Sequence, residues 1–241
     1  MRIDLGSLSL DAARPYTPAP YSGRNRTRPS LLRHDYLSLD ALSADVERLV
    51  DEIPDSTARR FALDLGCDSS PYGDLLSRRG YSVRTLDLTP GSGAGFVGTA
   101  EETGLPAESF DLVLCTQVLE HCNDPWRAVR EIHRILRPGG YLVASAPHVW
   151  FYHPHPTDHW RFTQQGIAHL CRGAGFDVQA VLSQGGTVLA AAQVANFLAF
   201  GVLGRAGAPL YAVVNVAGKA LDRIVRNELF CINFAVLARR T

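Results

Sequence analysis

The stretch that decides the fold is FALDLGCDSSPYG, at residues 61–73. A short apolar run ends at Gly66 and is followed at once by residues typical of a helix start, so the segment predicts a strand, a tight turn and a helix. Glycine at such a turn lets the backbone approach a ligand closely, and the exposed amides can hold anionic groups. Similar turns also occur in α/β proteins that bind nothing there, and this alternative stays open at this point.

Outward from this turn, apolar runs alternate with helical patterns. Strands are predicted at 61–65, 81–88, 110–115, 141–146, 176–182 and 229–237. Helices are predicted at 40–53, 72–79, 125–136, 164–173, 187–204 and 209–225. Strands that alternate with helices at this spacing indicate an α/β fold with a mostly parallel sheet and helices on both faces.

The chain divides into four predicted segments. They are an N-terminal arm with a cap helix (1–58), a core (59–183), an apolar helical insert or lid (184–228) and a final strand (229–241). Because a helical insert precedes the final strand, we expect that strand to be antiparallel and to lie at the sheet edge.

Charge and cysteine content exclude several classes of protein. Twenty-four basic and 24 acidic residues balance, so no overall field favours nucleic acid, and no nucleic-acid partner is expected. The five cysteines form no C-x-x-C pair, which argues against a disulfide framework or a zinc knuckle and favours a reducing cytoplasm. The N-terminus lacks the pattern of a signal peptide.

Asp87 closes the second predicted strand, about 20 residues after Gly66, which is the spacing expected for an acidic residue that binds a ribose. A carboxylate there can accept hydrogen bonds from both ribose hydroxyls. The two positions together predict a nucleotide-like ligand at the carboxyl edge of the sheet.

Several further motifs follow in order. They are DLGC at 64–67, TAE at 99–101, SFDLVLC at 109–115, VLEH at 118–121 and LRPGG at 136–140. Over residues 61–178 the sequence resembles the class I methyltransferases, in the type 11-like subgroup and similar to members near polysaccharide and cell-surface biosynthesis genes. The resemblance implies a Rossmann-like seven-stranded sheet and S-adenosyl-L-methionine as the cofactor.

The resemblance also implies which residues bind the cofactor. They are Asp64, Gly66, Cys67, Asp68, Asp87, Leu88, Ala100, Glu101 and Thr116. Asp68 stands where the subgroup usually has a glycine. Its carboxylate would repel the carboxylate of the donor's methionine part, or would hold the amino group.

The acceptor is expected at residues 147–163, PHVWFYHPHPTDHWRFT, which resemble the acceptor loop of the same subgroup. The candidate bases are histidines, because an imidazole near neutral pKa suits proton removal from a hydroxyl. They are His121, His155, His148 and His159. The candidate substrate-binding residues are Tyr152, His153, Asp158, Trp160 and Arg161. The alternative for each histidine is loop capping or packing, and for Arg161 it is a brace to a nearby acid.

A metal site is not expected in this loop. His153, His155, Asp158 and His159 have the right chemistry for one, but their spacing in the sequence matches no established pattern.

The insert has 18 uncharged residues at 187–204, close to the roughly 20 that span a bilayer, but Gln193 and Asn196 interrupt it. A lid on the sheet edge is therefore predicted, with contact to a lipid, a lipid-linked substrate or a partner subunit left open.

The function predicted is methyl transfer from S-adenosyl-L-methionine to an oxygen or nitrogen atom of a small-molecule or glycan-type acceptor, in the cytoplasm or at a membrane periphery. The alternatives are a catalytically silent scaffold and a membrane-surface adaptor.

Overall fold

The computed structural model describes residues 26–89, 95–154, 156–225 and 227–241. Its strands are β1 (Arg60–Leu65), β2 (Tyr81–Asp87), β3 (Phe96–Val97), β4 (Phe110–Thr116), β5 (Leu136–Pro147), β6 (Phe176–Gln184) and β7 (Asn233–Arg240). They form one seven-stranded sheet in the order β3-β2-β1-β4-β5-β7-β6. All neighbours are parallel except the two pairs that include β7. The predicted mostly parallel, Rossmann-like sheet is confirmed.

The helices in this part of the chain are α1 (Tyr36–Asp51), α2 (Gly73–Arg78), α3 (Pro125–Ile135), α4 (Gln164–Gly173), α5 (Thr187–Leu203) and α6 (Ala208–Ile224). Two of them start at caps that the sequence shows. Asp124 accepts a hydrogen bond from the Arg127 amide at the start of α3, and Thr163 accepts one from the Gly166 amide at the start of α4. Each cap satisfies an amide that the first helical turn leaves without a partner.

The core lies on both faces of the sheet because successive strand residues point to opposite sides. On β1, Leu63 and Leu65 pack with α3 and α4 on one face, whereas Ala62 packs with α1 and α2 on the other. The predicted cover of helices on both faces is confirmed. It leaves the carboxyl ends of the parallel strands free to form a site.

The final strand is not at the edge of the sheet, so that part of the prediction was wrong. β7 is antiparallel as expected, but it lies between β5 and β6, and the edges are β3 and β6. The sequence carries the physical reason, since residues 234–238 are apolar without interruption and are all buried. A strand buried on both faces is a continuous apolar run, whereas an exposed edge strand alternates.

The insert between β6 and β7 is a helical hairpin of α5 and α6. Five buried or paired polar side chains hold it together and to the core: Gln193, Asn196, Asn215, Lys219 and Asp222. The Asp222 carboxylate accepts hydrogen bonds from the Gly186 and Leu189 amides at the start of α5, where helix amides otherwise lack partners. Lys219 pairs with Asp40 on α1 at 2.6 Å.

Asn215 joins the hairpin to the segment before α1. Its amide nitrogen donates to the carbonyls of Leu31 and Arg33, at 2.7 and 2.9 Å, and its oxygen accepts from Asn196 on α5 at 2.8 Å. All of these contacts are made by a side chain that is fully buried.

We therefore expect Asn215→Leu to lower the free energy of unfolding by about 1–3 kcal/mol, because two carbonyls and one amide would lose their partner inside the protein. Urea denaturation measures this change. The control is Val216→Leu, an exposed position on the same helix, where a change within about 0.5 kcal/mol is expected. Equal losses in the two variants would contradict this role of Asn215.

Candidate active site

A cavity of about 690 Å³ opens at the carboxyl ends of β1, β2 and β4. One half is lined by the turn after β1, the end of β2 and residues 98–101. The other half is lined by the turn after β4, residues 150–153, 156 and 157, and Phe197 of α5. A cavity of this size fits a cofactor and the reacting part of an acceptor.

Gly66 forms the tight turn after β1. Its φ is +72°, a conformation that side chains rarely adopt, and a Cβ built there would lie 2.3 Å from the Val118 side chain. The Gly66 amide donates to the Leu86 carbonyl at 2.8 Å, which ties the turn to β2. Glycine is therefore required both by the backbone and by the close approach of the turn after β4.

Asp68 and Asp87 face the cavity from the two sides of this turn. The Asp68 amide donates to the Asp87 carboxylate at 2.8 Å, and the Leu88 amide donates to the same carboxylate at 2.7 Å. Asp68 has a φ of +45°. This explains why glycine is usual at the position and why Asp is tolerated, since Asp adopts left-handed backbone more readily than most residues.

Asp64 supports the turn from below and does not line the cavity. Its carboxylate is buried and accepts a hydrogen bond from the Ser70 hydroxyl at 2.7 Å. Burial raises the pKa of Asp64 to about 6, although the Ser70 hydrogen bond works in the opposite direction.

Glu120 and His121 lie in a single helical turn, Leu119–His121, directly after β4. Both residues line the cavity. Glu120 is fully buried, and burial raises the pKa of its carboxyl to about 8, with only partial offset from its own amide and from Arg161. Burial also lowers the pKa of His121. Both groups are therefore biased towards their neutral forms.

Asp158 and Arg161 form an ion pair that lies outside the cavity. Asp158 accepts hydrogen bonds from Arg161 at 2.8 Å and from the His153 amide at 2.9 Å. Burial alone would raise the pKa of Asp158, but these donors lower it to about 2. Arg161 also donates to the Phe151 carbonyl at 2.9 Å. Of the two roles predicted for Arg161, the geometry shows the brace.

The predicted site residues separate into three groups. Those that line the cavity are Gly66, Asp68, Asp87, Leu88, Ala100, Glu101, His121, Tyr152 and His153. Those that do not line it are Asp64, Cys67, Thr116, His148, His159, Asp158, Trp160 and Arg161. His155 lies outside the described residues.

The side chains outside the cavity have other contacts. The His148 ring contacts the Phe162 carbonyl at 3.0 Å, and the Trp160 indole donates to the Cys122 carbonyl at 2.8 Å. The His159 amide donates to the Glu120 carbonyl at 2.8 Å. These residues position the turn after β4 and the segment that follows β5.

Several residues that line the cavity are not among the predicted site residues. They are Arg26, Asp35, Ser38, Gln117, Glu120, Trp150, Phe151 and Phe197. The Phe197 ring packs edge-on against Trp150, with centroids 4.9 Å apart, and lies 4.5 Å from Phe151. No local motif marks Phe197, because it reaches the site only through the packing of α5. Glu120 lies in the VLEH motif at 118–121, but the sequence does not show that its side chain is buried.

Asp64 generates a prediction on pH dependence. Its pKa is about 6 in the folded protein and 3.8 as an isolated side chain, so the folded state holds the proton more tightly. This contribution to stability is complete below about pH 4 and is lost as the pH rises through about 6.

The free energy of unfolding of the native protein, relative to Asp64→Asn, should therefore fall between pH 4 and 6 by at most about 1.4 kcal/mol per pH unit, and then level off. Urea denaturation of both proteins across this range measures the difference. A difference that does not change with pH would contradict the raised pKa.

Comparison with known proteins adds to this geometry. The profile of a family described as a methyltransferase domain matches residues 63–144. The malonyl-[acyl-carrier protein] O-methyltransferase of Serratia marcescens is 28% identical over 120 residues, which are 46% of this chain and 47% of that protein. A probable pectin methyltransferase of Arabidopsis thaliana is 32% identical over 147 residues, 52% of this chain and 23% of its own length. The chain thus spans less than half of the length of either relative.

A solved S-adenosylmethionine-dependent methyltransferase from Mesorhizobium loti has the same fold, with a TM-score of 0.54 and 19% identity over 85% of this chain and all of that one. The matched profile covers the turn after β1, the end of β2 and the Leu119–His121 turn, and its range includes 16 of the 28 residues that line the cavity. Residues 63–144 therefore match a methyltransferase domain, and the chain has the fold of a solved S-adenosylmethionine-dependent methyltransferase.

Proposed function

We propose that the chain transfers a methyl group from S-adenosyl-L-methionine to an oxygen or nitrogen atom of a small-molecule or glycan-type acceptor. The observation that carries this proposal is that one cavity is lined by two unlike sets of residues, which we call its two halves. One half has a glycine turn and a carboxylate at the strand ends, and the other has aromatic side chains and histidines.

The first half suits the cofactor. The turn at Gly66 has no room for a Cβ, so its backbone can approach the methionine part of the donor, and Asp87 stands where a carboxylate can accept the ribose hydroxyls. Leu88 and Ala100 supply apolar surface beside Asp87 that suits an adenine ring. Bound S-adenosyl-L-methionine supplies a methyl group already activated on a sulfonium.

The second half suits an acceptor that needs alignment and exclusion of water. Trp150, Phe151 and Phe197 form a mutual aromatic cluster at its wall, which favours a ring or a sugar face and reduces the access of water. In a displacement reaction this alignment is the main contribution that the protein can make.

His121 is our candidate for the base that takes a proton from the acceptor. Its Nδ1 contacts the Thr157 carbonyl, and a carbonyl can only accept, so Nδ1 carries the ring proton and Nε2 has a free lone pair. Burial lowers the pKa of His121, which keeps the ring neutral at physiological pH and ready to accept a proton.

The alternative is a silent scaffold that has kept the fold but has lost the donor. Asp68 is the feature that favours it, since its carboxylate faces the cavity where a glycine is usual. Donor binding separates the two functions.

We expect the native protein to bind S-adenosyl-L-methionine and its demethylated product in a calorimetric titration. Asp87→Ala should weaken this binding by roughly 10- to 100-fold, because hydrogen bonds to a charged acceptor would be lost. The control is Asp177→Ala, an exposed carboxylate on the edge strand β6, for which we expect unchanged affinity.

Binding that Asp87→Ala loses justifies an acceptor screen that begins with sugars and lipid-linked glycans. No binding by the native protein would contradict the proposed activity and favour the scaffold. Asp68→Gly would then be the first substitution to test for recovery of binding.

We also propose that the α5–α6 hairpin contacts a membrane surface or a lipid-linked acceptor. The stretch Thr187–Ile224 is apolar enough to cross a membrane, and only 22% of its most apolar window is buried. It is broken at Gly204–Gly207 into two helices of 17 residues, each shorter than the roughly 20 residues that span a bilayer. Its outer face exposes Leu198 at 65% and Val202 at 84%.

An exposed apolar face on helices that are tied to the core favours binding in the plane of the interface. We expect the protein to sediment with phospholipid vesicles, and the double variant Leu198→Ser/Val202→Ser to sediment several-fold less. The control is Val97→Ser, which removes another exposed apolar side chain, at the β3 edge. Equal loss in the control, or no sedimentation of the native protein, would contradict the contact.

A further inference from the structure

Three groups with the chemistry of metal ligands converge on the acceptor half of the cavity. They are Glu120, His121 and His153, and one donor atom of each lies within 4.8 Å of the other two. Glu120 and His121 are neighbours in the turn after β4, whereas His153 comes from the segment after β5, so the fold brings the third group to the other two. We propose that these three side chains bind a divalent transition-metal ion.

The first observation behind this proposal is the state of Glu120. The side chain is fully buried, and apart from the nearby amide of Glu120 itself, which does not meet hydrogen-bond geometry, neither carboxylate oxygen has a polar partner among the residues that the structure describes. Buried polar groups almost always have partners, because an unpaired one loses its hydration without compensation. The His121 Nε2 lies 3.8 Å from Oε1, beyond hydrogen-bond distance. A cation between these atoms would satisfy both.

The second observation is the orientation of the two imidazole rings. The His121 Nδ1 contacts the Thr157 carbonyl. The His153 Nδ1 lies 3.0 Å from the Phe151 carbonyl and 3.2 Å from the Asp158 carboxylate. Because these oxygens only accept, each Nδ1 carries the proton and each Nε2 keeps its lone pair. Histidines that bind metals are oriented in this way, with the other ring nitrogen donating to a carbonyl or carboxylate.

The distances require only a small adjustment. A tetrahedral ion with bonds of 2.0–2.1 Å holds its ligand atoms roughly 3.4 Å apart, so donors within 4.8 Å of one another need to approach by no more than roughly 1.4 Å. His153 is half-buried and lies in a loop, so a rotation of its side chain supplies much of this movement.

The ligand set indicates which ions fit. Two imidazoles and one carboxylate suit Zn²⁺, Fe²⁺ and similar borderline ions, whereas Mg²⁺ and Ca²⁺ prefer oxygen ligands throughout. Three protein ligands also leave at least one position open, as in catalytic sites, and all three of these residues line the cavity.

The consequence for the acceptor rests on the proposed methyl transfer. An acceptor hydroxyl bound at the open position would lose its proton to solvent more readily and remain on the ion as an oxyanion. The oxygen that attacks the methyl carbon would then be held by the metal, and His121 would act as a ligand in place of a base. Acceptors with one hydroxyl, or with two adjacent hydroxyls, fit this arrangement.

The test is metal binding by the full chain after treatment with a chelator and under reducing conditions. We expect calorimetric titration with Zn²⁺ to show one ion bound per chain, and no comparable binding of Mg²⁺. Glu120→Gln and His153→Ala should each weaken binding by more than roughly 100-fold. Asp158→Asn, which weakens both the contact to the His153 ring and the ion pair with Arg161, should weaken it by roughly 10- to 100-fold. Circular dichroism checks that each variant is folded.

The matched control is His169→Ala, which removes an exposed histidine on α4 and should leave binding unchanged. Titration with Co²⁺ identifies the ligands, since nitrogen and oxygen ligands give only weak visible bands and thiolates add strong charge-transfer bands. Thiolate bands, binding that survives both Glu120→Gln and His153→Ala, or no saturable binding of Zn²⁺ would overturn the inference.

The same preparation titrated with S-adenosyl-L-methionine reports on the donor half separately. Donor binding without metal binding overturns the metal site and leaves the proposed function standing. Metal binding without donor binding overturns the proposed function and leaves the metal site standing.

Discussion

The backbone carbonyl of Glu120 is the contact on which the acceptor half of the cavity depends. It accepts hydrogen bonds from the amides of His159 and Trp160, at 2.8 and 3.2 Å, and so fixes the segment after β5 against the turn after β4. The Thr157 hydroxyl adds a bond to the His121 carbonyl at 2.8 Å. His153 and Glu120 are far apart in the sequence, and these hydrogen bonds hold the loop that carries His153 beside Glu120.

The adjacency of β4 and β5 in the sheet makes this junction available. Parallel strands bring their carboxyl ends to the same edge, and the pairing of Thr116 with Ser145 aligns the ends of these two strands. Gln117, with a φ of +56°, starts the turn, and its amide donates to the Ser145 carbonyl at 2.9 Å. The geometry of the site is therefore set by the register of the sheet.

The parts of this arrangement that the sequence predicts are those with local signals. The turn at Gly66 is marked by its motif, and the caps at Asp124 and Thr163 are marked by residue type and position. The unbroken apolar run of β7 indicates a strand inside the sheet, as observed, whereas its position after the helical insert predicts an edge strand. The apolar run gives the correct position, because a strand that is buried on both faces needs apolar residues on both.

The parts that sequence could not predict depend on packing between distant segments. The two histidines His148 and His153 lie five residues apart, but only His153 lines the cavity, whereas the His148 ring contacts the Phe162 carbonyl. The path of the chain after β5 decides which histidine faces the cavity. Phe197 reaches the cavity from α5 only because Gln193, one turn earlier, accepts a hydrogen bond from the Ser38 amide and donates to the His34 carbonyl. A local pattern contains neither fact.

Three side chains converge in the acceptor half with lone pairs on the atoms that face one another. The lone pairs on His121 Nε2, His153 Nε2 and the Glu120 carboxylate are all acceptors, and burial favours the neutral form of Glu120. A proton on Glu120 supplies one donor for this group, and a cation supplies enough positive charge for all three. Three hydrogen-bond acceptors cannot satisfy one another. This group therefore needs a positive charge or a hydrogen-bond donor beside it, such as a proton, a metal ion or the hydroxyl of the methyl-accepting substrate.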